Sequence, residues 1–207
     1  MFCSRRTAML MLLTALTPIS LVRADENTLS PKEKQDGWRL LFDGRTLDGW
    51  IPEGDGQWRV ADGTVVCDQG GDGWLRTKET YEDFQLHCDF RNIPQGNSGL
   101  FLRAANKGSP YPAPEHGYEL QINNEDPKFA TGSIEDYIQR LKPVRPTPNE
   151  WHSFDVEARG PHFIVHLDGV KVLDGQSDKF KAGYIGLQFH KDSKIEFRNI
   201  KLKVLQK

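Results

Sequence analysis

A chain of 207 residues, 37% of them hydrophobic and 27% charged, has the make-up of an ordinary folded protein, and its formal net charge of -2 sets no strong field of either sign. Its 27 basic and 29 acidic residues are interspersed, which excludes a surface that holds nucleic acid or an anionic membrane by charge alone. Small molecules and neutral polymers are left as ligand classes.

Residues 1–24 read as an export signal. Arg5 and Arg6 precede an apolar run from Ala8 to Val22, and Ala24 closes a Val-Arg-Ala cleavage site. Thr14, Thr17, Pro18 and Ser20 interrupt the run, which falls short of the roughly 20 apolar residues that span a bilayer. No stable membrane anchor is expected. Ser4-Arg5-Arg6 makes a poor twin-arginine signal, and Cys3 lies before the apolar run, where no lipoprotein anchor sits. The expectation is a secreted or periplasmic protein beginning at Asp25, in which Cys67 and Cys88 either pair, if geometry permits, or stay as buried thiols.

Asp25 to Asp36 is polar and carries Pro31, and reads as a partly ordered linker. Residues 37–207 then form one domain, long enough for a two-layer core. Its segments are short runs with period-2 alternation, bounded by Gly, Pro, Asn or Asp. Strands are predicted at Arg39 to Phe42, Trp58 to Ala61, Thr64 to Cys67, Trp74 to Thr77, Phe84 to Arg91, Ser98 to Ala104 and Gly117 to Asn123. Five more follow at Trp151 to Arg159, His162 to Leu167, Val170 to Asp174, Gly183 to His190 and Lys194 to Lys203. Asp62-Gly63 and Asp168-Gly169 are two-residue hairpin signals. A dozen strands are too many for one flat sheet, so the fold class is all-β, an antiparallel two-sheet sandwich of jelly-roll type.

Alternation also sorts the side chains. With Leu100 and Leu102 inward, Phe101 and Arg103 point out; with Tyr118, Leu120 and Ile122 inward, Glu119 and Gln121 point out; with Leu187 and Phe189 inward, Gln188 and His190 point out. Three strands thus offer outward polar groups.

The blocks GWRLLFDGRTLDGW (Gly37 to Trp50), GWLRTKETYEDFQLHCDFR (Gly73 to Arg91), NSGLFLR (Asn97 to Arg103), GYELQI (Gly117 to Ile122), TGSI (Thr131 to Ile134) and EWHSFDVEARG (Glu150 to Gly160), followed by LDGVKV and GYIGLQFH, occur in this order. The ordered set resembles the 3-keto-disaccharide hydrolase domain family over nearly all of residues 37–205. The resemblance implies a concanavalin A-like, laminarinase-like sandwich and cleavage of glycosides whose sugar carries a 3-ketone. The chain departs from the family pattern after TGSI, where a tyrosine is expected and Glu135-Asp136-Tyr137 stands. A QDHG of many relatives is QFHK here, which keeps His190 and loses the acid before it.

A 3-ketone acidifies the hydrogen on C2, so a base can remove it and the enolate can expel the oxygen on C1; water then adds. That route needs a base, a stabiliser for the enolate oxygen and a proton for the leaving group. Glu119, His190 and Arg103 are the candidate catalytic groups, with Arg103 as the fixed positive donor. Asn97, Gln121 and Gln188 are candidates for binding sugar hydroxyls, and Asp126 and Lys128 for closing a loop over the ligand. A plainer reading makes Glu119 and Arg103 a solvated cross-strand pair, worth about 0.2–1 kcal/mol, and His190 a surface histidine. No cofactor is required by the sequence. His162 and His166 share a strand face but stand roughly 13 Å apart, too far to hold one ion; His87 with Asp89, or Glu119 with His190, could ligate a divalent ion only if the fold adds other groups. Two other functions stay open. One is a carbohydrate-binding module stacking sugars on Trp50, Trp74 and Tyr111; the other is a conventional glycosidase, which needs two carboxyls flanking the bond.

Overall fold

The structure, a computed structural model, describes residues 26–206; the export signal read over 1–24 lies outside them. Thirteen strands form two antiparallel sheets. They are β1 (Trp38–Leu40), β2 (Trp50–Gly56), β3 (Arg59–Ala61), β4 (Thr64–Cys67), β5 (Gly70–Tyr81), β6 (Phe84–Asn92), β7 (Ser98–Ala104), β8 (Tyr118–Ile122), β9 (His152–Arg159), β10 (His162–Leu167), β11 (Val170–Gln176), β12 (Gly183–Phe189) and β13 (Ile195–Val204). The larger sheet runs β11-β10-β9-β6-β13-β4-β3, with β1 also paired to β13, and the smaller runs β2-β5-β12-β7-β8. The all-β, two-sheet reading of the sequence holds.

The core lies between the sheets and is built by the predicted alternation. On β6, Phe84, Leu86, Cys88 and Phe90 face inward, as do Phe154, Val156 and Ala158 on β9 and Phe163, Val165 and Leu167 on β10. Burying each large side chain contributes about 1.5–3 kcal/mol. Trp50 belongs to this core, with its indole N–H donating to the Leu41 carbonyl over 2.6 Å, so it is no sugar platform. Cys67 and Cys88 are free, buried thiols; burial pushes Cys67 up to about 12 and Cys88 well above its ordinary value.

Strand β2 is absent from the predicted set because Pro52, Gly54 and Gly56 read as turn residues; it is an edge strand, where a missing N–H leaves no ladder bond unmade. The polar segment before Gly37 is folded onto the larger sheet. Ser30 caps α1 (Pro31–Gln35) in a capping box with Glu33. Asn27 exchanges bonds with Asn199, 2.6 Å from its N–H and 2.9 Å to its Oδ1, and donates Nδ2 to the Gly63 carbonyl over 2.9 Å.

Candidate functional site

The outward face of the smaller sheet carries the site, and strand register sets its order. Gln121 lies opposite Gly99 and Glu119 opposite Phe101. Leu187 faces Leu100 and Gly186 faces Phe101, so Gln188 falls opposite Gly99, and on its other side it meets Trp74, which faces Glu53. One row is therefore Gln121-Gly99-Gln188-Trp74-Glu53 and the next is Glu119-Phe101-Gly186-Arg76. Two glycines keep this face open where large side chains fold over it. A Cβ on Gly186 would meet the Trp74 ring at 2.4 Å, and one on Gly99 would meet Glu119 Oε1 at 2.6 Å. Glu119 thus leans across Gly99 toward Gln188, while Trp74 lies over Gly186 and meets Phe101 edge-on at 5.5 Å.

Tyr111 and Ala113, from the segment between β7 and β8, pack on this floor together with Tyr184. The cover is close. Trp74 and Phe101 are fully buried, and Glu119, Gln121 and Gln188 are only 3%, 2% and 3% exposed. Buried polar atoms normally find partners, yet Glu119 Oε1, Gln188 Oε1, Asn97 Oδ1, Trp74 Nε1 and the Tyr111 hydroxyl make no well-formed hydrogen bond. Three acceptors and the Trp74 donor are therefore buried on this side of the sheet without a partner, while the Tyr111 hydroxyl is directed at the Asp72 carboxylate.

Burial holds the Glu119 carboxyl well above the usual carboxylate range; the Glu135 carboxyl beside it raises it further, and the Gln188 amide acts in the opposite sense. Glu135 is itself raised by burial and by the charges of Asp136 and Asp126, against the hydrogen bond with Glu119. Burial and the neighbouring Asp72 carboxylate push the Tyr111 phenol up, so it stays a neutral donor. His190 sits at the rim, its ring 6.2 Å from that of Tyr111; Nδ1 donates to the Lys191 carbonyl over 2.7 Å, which leaves Nε2 as the acceptor of the neutral ring.

Glu119, Gln121, Gln188 and His190 thus share one face as alternation predicts, with Asn97 just before β7, and Arg103 does not. Leu102 and Arg103 together oppose the single residue Ile185, because Ala104 pairs with Tyr184 and Phe101 with Gly186. This is a β-bulge with Arg103 at φ 52, and it turns the side chain away from the face and gives Ala104 its place. The guanidinium lies 5.1 Å over the Phe163 ring and donates to the carbonyls of Glu82 (2.7 Å), Gly160 (2.7 Å) and Phe180 (3.2 Å) and to Asp83 (3.2 Å). It is a structural cation. Asp126 builds a turn, accepting from the N–H groups of Lys128 (2.7 Å) and Phe129 (2.5 Å), and Lys128 is exposed with its ammonium over the Phe129 ring. Neither extends onto the sheet face.

Sequence reasoning offered Trp74 as a sugar platform or as a filler of core and rim, and its full burial agrees with the second; it passed over Glu135 as a site residue. On the opposite sheet His87 lies between Asp155 (2.7 Å from Nδ1) and Asp89 (3.1 Å from Nε2). Burial opposes its charge, but the two carboxylates outweigh it and raise the ring to about 9. Among the described residues no three His, Cys, Asp or Glu side chains gather as a metal site, and no helix is long and apolar enough to cross a membrane.

A curated relative, 3-keto-disaccharide hydrolase from Bacteroides thetaiotaomicron, is 24% identical over 246 aligned positions, covering 90% of this chain and 84% of the relative. A candidate glycosyl hydrolase from Parabacteroides distasonis superposes with a TM-score of 0.75 at 25% identity, covering 87% of this chain and all of that one. Carbohydrate binding module CBM66 from Bacillus subtilis shares the fold, with a TM-score of 0.58 at 21% identity over 75% of this chain and 95% of the module. The family described as the 3-keto-alpha-glucoside-1,2-lyase-like domain matches residues 37–203, and the chain belongs to that family.

Proposed function

We propose that this protein cleaves glycosides whose sugar has been oxidised to the 3-ketone, by removal of the C2 proton, elimination of the C1 oxygen and addition of water. The observation that carries the reading is the buried Glu119 carboxyl with an unpartnered Oε1, on a side of the sheet that carries further unpartnered acceptors and the Trp74 donor. Such a face suits a polyhydroxylated ligand. Sugar hydroxyls donate to Gln188 and Asn97, and the ketone oxygen accepts from a neutral donor.

In the proposed mechanism Glu119 is the acid/base group. A carboxyl whose proton affinity is raised by burial is a stronger base than a solvated one and is suited to work near neutral pH. Trp74 Nε1–H, a buried donor without a partner, stabilises the enolate oxygen, the task Arg103 was expected to perform. A donor held in a water-poor site does this without reorganising during the reaction. His190 lies at the rim beside Tyr111. The export signal read in the sequence over residues 1–24 supports a reaction in the periplasm or outside the cell.

A conventional glycosidase needs carboxyls about 5–5.5 or 6.5–9.5 Å apart across the scissile bond. Glu119 and Glu135 are instead direct cross-strand neighbours, the Glu135 N–H donating to the Glu119 carbonyl over 2.9 Å, an arrangement that suits a coupled pair rather than two carboxyls set on opposite sides of a sugar. Of the three aromatic platforms a non-catalytic module would use, Trp50 and Trp74 are buried and only Tyr111 is partly exposed.

The test incubates the purified protein with a 3-keto-disaccharide and with its unoxidised parent, with and without chelator, and follows released sugar. Cleavage of the 3-keto compound alone, unaffected by chelator, is expected. Cleavage of the parent, or binding without product, overturns the reading.

A further inference from the structure

We propose that Glu135 is the proton partner of Glu119: the two carboxyls hold one proton between them, and cleavage uses both, one to take the C2 proton and the other to protonate the leaving oxygen. The inference rests on the function proposed above and adds a residue to its machinery.

The geometry comes from the backbone. After β8 the chain returns alongside it: Gln121 donates its N–H to the Ser133 carbonyl over 2.9 Å, Glu135 donates its own to the Glu119 carbonyl over 2.9 Å, and Leu120 and Ile134 form an antiparallel bridge between these bonds. Leu120 and Ile134 are fully buried in the core, so Glu119 and Glu135 share the opposite face as direct cross-strand neighbours. Like charges in that relation repel. With Glu119 only 3% exposed, water screens the repulsion little, so keeping one proton in the pair is the stable arrangement. The groups acting on Glu119 besides its partner are Gln188 and Tyr111, and those acting on Glu135 are Asp136 and Asp126. None is basic, so nothing else neutralises a second negative charge.

A one-proton pair supplies both halves of the reaction. The C2–H proton goes to one carboxylate oxygen, the C2 electron pair forms the C1–C2 double bond, the C1–O bond breaks with its electrons going to oxygen, and the proton already held goes to that oxygen. Addition of water reverses the bookkeeping: hydroxide joins C1, one proton joins C2 and the other reloads the pair. No oxidant or reductant enters.

The experiment compares the wild type with Glu135→Gln on two substrates, a 3-keto-disaccharide and a nitrophenyl 3-keto-glucoside whose leaving group needs no proton. The variant keeps one carboxyl, which can act as base or acid in a turnover but not both. Its kcat/KM is expected to fall by roughly 10²–10⁴-fold on the disaccharide and to be nearly unchanged on the nitrophenyl substrate. Equal losses on both would mean a purely structural role and overturn the inference. A carbon-13 NMR titration of the glutamate carboxyls reads the pair without turnover. In the wild type one carboxyl keeps its proton above the ordinary glutamate range, and in Glu135→Gln Glu119 titrates at lower pH; identical titration of Glu119 in both proteins overturns the shared proton. If the wild type cleaves neither substrate, the proposed function fails, and the titration alone decides whether the pair exists.

Discussion

Gly99 stands directly beneath Glu119: a Cβ at residue 99 would come within 2.6 Å of Glu119 Oε1 and 2.7 Å of its Cγ. The glycine belongs to β7 and the glutamate to the neighbouring β8, so the lie of the carboxyl depends on a side chain being absent from the next strand. Gly99→Ala is expected to displace Glu119 from its place beside Gln188. The cost in stability is about 1–3 kcal/mol, the range for overpacking a tight site, while kcat on a 3-keto-disaccharide falls by an order of magnitude or more. Steady-state kinetics with a thermal melt separate the two effects.

Arg103 is expected to matter for stability and not for chemistry. Replacing it by Met leaves the Glu82, Gly160 and Phe180 carbonyls and the Asp83 carboxylate without their donor, in a place where the guanidinium side chain is 1% exposed. Breaking a buried charge cluster costs about 3–5 kcal/mol, and urea denaturation should show a loss of that size. Where folded protein remains, its activity per folded molecule should match the wild type.

Much of this was legible in the amino-acid pattern, and the failures have physical causes. Alternation placed Glu119, Gln121, Gln188 and His190 on one face because regular pairing preserves the period of two. The same rule misplaced Arg103 because one bulged residue at φ 52 shifts the period, and nothing in Leu102-Arg103-Ala104 announces it. Strand β2 hid behind Pro52 and two glycines that an edge position tolerates. Glu135 escaped because residues 131–135 pair with β8 through a few backbone bonds and one bridge, too short a run to show periodicity. Helix α1 was signalled by Ser30, Pro31 and Glu33, a cap pattern masked by the polarity of its surroundings.

His87 gives the fold an alkaline dependence. Its ordinary value of 6.5 is raised to about 9 by Asp155 and Asp89, against the effect of burial. A folded-state value above the unfolded one means that the stabilisation is fully present below about pH 6.5 and disappears as pH rises through about 9. Asp155 is half exposed, with a side-chain accessibility of 52%, so solvent screening trims the contribution to on the order of 1–2 kcal/mol. Urea midpoints from pH 6 to pH 10 should fall more for the wild type than for His87→Gln.

The segment before Gly37 is expected to act as part of the domain. Asn27→Ala removes the bond that Asn27 Oδ1 accepts from the Asn199 N–H and the bond that Nδ2 donates to the Gly63 carbonyl, and keeps the backbone N–H bond to Asn199 Oδ1, at a cost of about 1–3 kcal/mol. Hydrogen exchange should speed up in residues 26–36 and at Asn199, while the smaller sheet keeps its protection.

The central claim is that the face around Glu119 performs the chemistry, and Glu119→Gln tests it most directly. The substitution is nearly isosteric and replaces a buried carboxyl by a neutral amide, so the fold should persist by circular dichroism and thermal melting. The account predicts that turnover of a 3-keto-disaccharide, followed by released sugar, is abolished in this variant while the wild type cleaves the same compound. A folded Glu119→Gln protein with full activity would contradict it.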